Sequence, residues 1–163
     1  MATASDYTSA TRGVIHICRD AEQGFRGAAK AVRDPTLKNT FEQLSEQRAS
    51  FAKELVRAAT TLGMDVSDAT GVAGVLHAGW MELEGVLTGH SEHQILVETE
   101  RGEDLSISRY KTALDANPPE GIRTILESQF AQVQESHRRI RALRDSYAED
   151  RATMHGGGPT PAS

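Results

Sequence analysis

Apolar residues return every three or four positions through four stretches of this 163-residue chain. That is the period of an α-helix burying one face. In the first stretch, residues 8–32, the stripe reads Ile15, Cys18, Glu22, Phe25, Ala29 and Val32. Asp34 and Pro35 end it and open the second, with the aspartate at the N-cap and the proline at the first helical position. The second stripe is Phe41, Leu44, Arg48, Phe51, Leu55, Ala59 and Leu62, and Gly63 follows as a C′ glycine. Ser91 and Gln94 form a capping box for a third helix carrying Leu96, Thr99, Glu103, Ser106, Tyr110 and Leu114. Asn117 as N-cap, with Glu120 three residues on, opens a fourth whose stripe is Leu126, Phe130, Val133, His137, Ile140, Arg144 and Tyr147.

Between the second and third helices lies a connection of about 28 residues, 63–90, with its own amphipathic piece. Val72, Val75, Leu76, Trp80, Leu83, Val86 and Leu87 recur there at helical spacing. Short connections make antiparallel neighbours, and a long one lets the chain cross the bundle and return parallel. The expected fold is therefore all-α, a four-helix bundle with a long crossover that carries an extra short helix. Residues 1–7 are expected to be a flexible N-terminus, 8–150 the bundle domain and 151–163 a disordered tail.

Each stripe carries one charged or imidazole residue near its middle: Glu22, Arg48, Glu103 and His137. Burying charge is costly unless it is paired or binds a metal. Glu22 lies 13 residues before Pro35 and Arg48 lies 13 after it, while Glu103 and His137 each lie 17 from Glu120. Antiparallel partners equidistant from their turn sit level, so the four are expected to share one layer. Ser45 and Gln134, one turn before Arg48 and His137, would border it.

Composition narrows the function classes. Hydrophobic residues are 38%, charged residues 25%, and the net charge is −5, which gives no basic footprint for nucleic acid or anionic lipid. The N-terminal residues lack an apolar signal segment and no stretch approaches a membrane span, so a cytoplasmic location is expected. The lone Cys18 cannot form an internal disulfide and fits a packed thiol in a reducing compartment. His90 and His93 lack a third ligand, His16 and His77 are isolated, and the basic run of residues 136–144 lacks interleaved aromatics. Trp80, Met81 and Leu83 on the crossover are expected to cover either their own bundle or a partner surface, and the partner in the second case is another copy in a homodimer.

DAEQGFRGAA, LSEQRASFAKEL, HAGWMELEGVLTG, ERGEDLSISRYKTAL and SHRRIRALRD together resemble an uncharacterised bacterial family of ferritin-like four-helix-bundle domains with no established activity. The resemblance spans nearly all of residues 8–148. It implies that Glu22, Glu103 and His137 stand at ligand positions of a carboxylate-bridged di-iron site. Ser45 and Gln134 then stand where bridging glutamates belong, and Arg48 where a histidine belongs. A guanidinium can neither lose its proton nor ligate, so an ion-pair network in place of the metals is expected, with no cofactor. The implied function is a structural or stress-associated protein acting through assembly or partner binding. The alternative is a non-haem iron or manganese oxidoreductase using Glu22, Glu103 and His137. A small-molecule carrier with a pocket beneath the crossover is a third class.

Overall fold

A computed structural model describes residues 3–69 and 89–155, among which every regular element is helical and none is a strand. The four long helices are α1 (Ala4–Ala31), α2 (Pro35–Thr61), α3 (Glu92–Asp115) and α4 (Glu120–His155). A single 3₁₀ turn, Ser67–Ala69, follows α2. The architecture is that of a four-helix bundle. Residues 70–88, which contain His77, Trp80, Met81 and Leu83, lie outside the described residues.

Capping chemistry explains where each helix begins. The Thr3 hydroxyl accepts from the Asp6 amide and the Asp6 carboxylate accepts from the Thr3 amide, so α1 starts four residues before the expected position 8. Asp34 caps α2 as expected, accepting from the amides of Thr36 and Leu37 at 2.7 and 3.2 Å. Gly63, at φ +70°, ends that turn in the left-handed region where a glycine costs least. The Ser91–Gln94 box opens α3. Asn117 departs from its expected role: it sits at φ +52° just after α3, and its side-chain oxygen accepts from Arg123. Two prolines, Pro118 and Pro119, follow it and push the residue before them off the helical region. Helix α4 therefore starts only at Glu120, and it continues past the expected boundary at 150 to His155.

Contacts at the helix ends fix directions. A Glu92 oxygen accepts from the amides of Arg33 and Asp34 at 2.8 and 2.7 Å, so α3 begins beside the start of α2. Tyr147 of α4 donates to the same Asp34 at 2.6 Å. At the opposite end, Arg12 of α1 donates to the Asp65 carbonyl at 2.8 Å. Helices α1 and α4 thus point toward one end, and α2 and α3 toward the other.

The core divides in two. Phe25, Leu37, Phe41, Ile95, Leu96 and Ile140 gather in one apolar cluster, and Ile15, Phe51, Leu55, Tyr110, Ile122 and Leu126 in the other. Each fully buried aliphatic or aromatic side chain contributes about 1.5–3 kcal/mol. Between the clusters lies a polar layer.

Candidate functional site

Arg48 is the centre of that layer, and its residue is only 1% exposed. Its Nη2 lies 2.8 and 2.7 Å from the two oxygens of Glu103, itself completely buried. The same nitrogen donates to the Ser136 hydroxyl at 2.8 Å, and Nη1 donates to Gln47 Oε1 at 2.7 Å. Ser136 in turn donates to Glu103 in a very short bond. The guanidinium carbon stands 5.7 Å from the Phe25 ring centre and 5.5 Å from that of Phe51, within the range of cation–π attraction. Burial acts to lower the Arg48 pKa, but the Glu103 carboxylate outweighs it and holds the value above the ordinary one. The cation is fixed.

The expected four-residue layer is only half assembled. Arg48 and Glu103 meet, but Glu22 turns outward along its own helix to Arg26, with Nη2 to Oε1 at 2.8 Å. The cause is register. Ser45 donates to the Glu22 carbonyl at 2.8 Å, so Ser45 is what lies across from Glu22. Arg48 is three residues further along α2 and passes Glu22 by about 4.5 Å at 1.5 Å per residue. His137 points to the flank of the bundle, where its Nε2 lies 2.7 Å from Asp104 and 4.0 Å from Glu100. Gln134 is half-buried and makes no hydrogen bond with the layer among the described residues.

Residues outside the sequence expectation complete the polar interior. Helix α4 buries Ile122, Leu126, Gln129, Val133, Ser136 and Ile140, an unbroken 4-3-4-3-4 stripe. Its two polar members, Gln129 and Ser136, had apolar or histidine neighbours, Phe130 and His137, that drew the expected stripe one residue aside. Gln129 accepts from Tyr110 at 2.8 Å and donates to the Phe51 carbonyl and to Glu54 at 3.3 and 2.7 Å. Tyr110 also meets the Cys18 thiol at 3.2 Å. Burial pushes that thiol up to about 11, against the opposing pull of Tyr110 and Arg48. Burial likewise raises the Tyr110 hydroxyl well above its usual range. Glu100, buried on α3, takes Arg141 at 3.1 Å and a closer Arg144, closing the flank beside His137.

Three carboxylate and imidazole groups suited to metal ligation therefore face three different partners: Glu22 faces Arg26, Glu103 faces Arg48, and His137 faces Asp104. His90 and His93 lie half-buried at the cap of α3.

A family profile described as "Domain of unknown function (DUF2383)" matches residues 6–116, about two thirds of the chain. The chain belongs to that family. The DUF2383 match takes in α1, α2 and α3 and stops just before α4, so Arg48 and Glu103 lie inside it while Ser136 and His137 lie beyond. No curated protein matches the chain.

Proposed function

We propose that this DUF2383 protein is a ferritin-like bundle whose metal layer is replaced by an internal arginine–glutamate clamp. It acts as a structural or stress-associated protein through assembly or partner binding. The observation that carries the proposal is the Arg48–Glu103 contact, a permanent cation in the bundle centre held by both oxygens of a buried carboxylate. The donor set does not fit a carboxylate-bridged metal pair. Glu103 is engaged by Arg48, and Glu22 and His137 face away from it.

Helix directions support the ferritin-like part. Helices α2 and α3 start at the same end, beside Arg33 and Asp34, and the chain leaves α2 at the other, beside Arg12. A connection between Ala69 and Gly89 then has the length of the bundle to cover, as a ferritin-like crossover does. The stress association follows from the resemblance alone, and fold does not assign activity. The assembly role falls on Trp80, Met81 and Leu83 of that connection, with a homodimer as the product.

Two measurements test this. Plasma mass spectrometry on protein grown with added iron and manganese should find no stoichiometric metal. About one metal per chain, lost on His137→Ala or Glu22→Ala, would overturn the clamp in favour of an iron or manganese oxidoreductase using Glu22, Glu103 and His137. Light scattering should show a dimer that Trp80→Glu converts to a folded monomer, and an unchanged mass would remove the assembly role.

A further inference from the structure

A cleft of about 260 Å³ opens between α1 and α3, lined by Ser9, Arg12, Gly13, His16, Ile17, Asp20 and Arg109. It lies apart from the Arg48 layer. Two arginines from different helices line it, with one lining carboxylate, Asp20, beside them. Arg12 is tethered by its outer nitrogens, Nη2 to the Asp65 carbonyl at 2.8 Å and Nη1 to Asp68 at 3.9 Å. That leaves its Nε, which is buried and has no hydrogen-bond partner. Arg109 is half-buried and makes no ion pair among the described residues.

Like charges brought together in a partly dehydrated cleft repel, and such a cleft concentrates counter-ions. The Arg109 guanidinium presents a planar donor fork that matches the oxygens of a carboxylate or phosphate, and the tethered Arg12 adds its fixed positive charge. Gly13 leaves the cleft floor open, since a Cβ built there would meet nothing within 4 Å. We propose that this cleft binds a small molecule through an oxyanion, a carboxylate or a phosphate, held between Arg109 and Arg12 with His16 and Ser9 as further polar contacts. The site is independent of the clamp and of any dimer.

The test uses the full chain. Thermal unfolding is followed in inorganic phosphate, in succinate and in sodium chloride at matched ionic strength. Phosphate or succinate should raise the midpoint saturably beyond chloride. Arg109→Gln should keep the wild-type midpoint in chloride and weaken the anion's apparent affinity about tenfold or more, the effect of losing a charge-assisted hydrogen bond. A response to phosphate alone identifies a phosphorylated ligand, and a response to succinate alone a carboxylic acid. Amide chemical shifts of the wild-type protein read the site directly, with Gly13, Ile17 and Arg109 expected to move. No rise beyond chloride with either anion, an undiminished rise in Arg109→Gln, or shifts confined elsewhere would overturn the proposal.

Discussion

Replacing Arg48 with methionine removes the cation from the bundle centre and leaves the Glu103 carboxylate buried against Ser136. The substitution keeps most of the apolar stem, so the packing against Phe25 and Phe51 is only partly lost. What dominates is the stranded charge. Breaking a buried ion pair from one side costs about 3–5 kcal/mol. The Arg48 pair belongs at the severe end of buried pairs, because its partner is 0% exposed and no solvent route relieves it. For a chain of this size that is a fall in Tm of about 6–20 °C, at about 2–4 °C per kcal/mol. Glu103→Leu alone, which strands the guanidinium, should cost a comparable amount. The double variant Arg48→Met with Glu103→Leu removes both charges and should recover most of the loss, since apolar replacements of buried pairs are often neutral or better. Urea unfolding followed by helical circular dichroism measures all four corners of the cycle. An Arg48→Met midpoint equal to wild type, or a double variant as unstable as the two single losses added together, would refute the clamp.

Smaller perturbations follow the same network. Ser136→Ala leaves the ion pair but deletes the hydroxyl between Arg48 and Glu103, and should cost about 1–2 kcal/mol in the same urea assay. Cys18, raised to about 11 chiefly by burial, should resist iodoacetamide at pH 8 until denaturant opens the bundle; rapid labelling of folded protein would contradict its placement. Its raised value also means that the neutral thiol's contribution to stability is full below the unfolded thiol's pKa of about 8.5 and is lost as pH climbs toward 11. Asp34 has the opposite sign. The Tyr147 hydroxyl, then the amides of Leu37 and Thr36, hold its pKa below the ordinary carboxylate value. Its contribution is present above about pH 4 and lost as pH falls through the lowered value. Tyr147→Phe should therefore lower Tm at neutral pH, with the gap to wild type narrowing in acid; a gap that stays constant would remove Asp34 as the cause.

The fold was legible because caps and periodicity agree at most boundaries: Asp34–Pro35, Gly63 and the Ser91–Gln94 box all stand where the sequence places them. The site was half legible, and the misses are geometric. For α3 and α4 the equidistance from Glu120 finds the right level, since Glu103 meets Ser136 and Asp104 meets His137, each within one residue of the expected pair. The error there is rotation. Hydrophobicity favours Phe130 over Gln129, and helical spacing then carries the stripe on to His137, yet the stripe through Leu126, Val133 and Ile140 runs through Gln129 and Ser136. For α1 and α2 the error is translation. The centre of that hairpin, set by Ser45 against Glu22, lies between Arg33 and Asp34, not at Pro35. A pivot misplaced by one and a half residues becomes a three-residue slip across the pair, enough to carry Arg48 past Glu22. Asn117 failed for a third reason: it occupies the C′ position after α3, in the left-handed region an asparagine tolerates, and its side chain accepts from Arg123 instead of capping α4.

Placing the clamp between two apolar clusters changes what it is for. Leu44 and Phe51 flank Arg48 on α2, in different clusters, so a one-turn slip of α2 could match apolar residue to apolar residue almost as well as the native register does. The same slip would separate Arg48 from Glu103 and Ser136 and leave a cation and an anion buried apart. A polar residue at one core position of a coiled coil sets register in this way, at a cost in stability. The double variant of the cycle separates the two roles. It should unfold at a midpoint near or above wild type, yet its amide spectrum should show broadened or duplicated signals along α2, where alternative registers exchange. A spectrum as sharp and single as the wild type's would mean that apolar packing alone selects the register and that the clamp adds nothing to specificity.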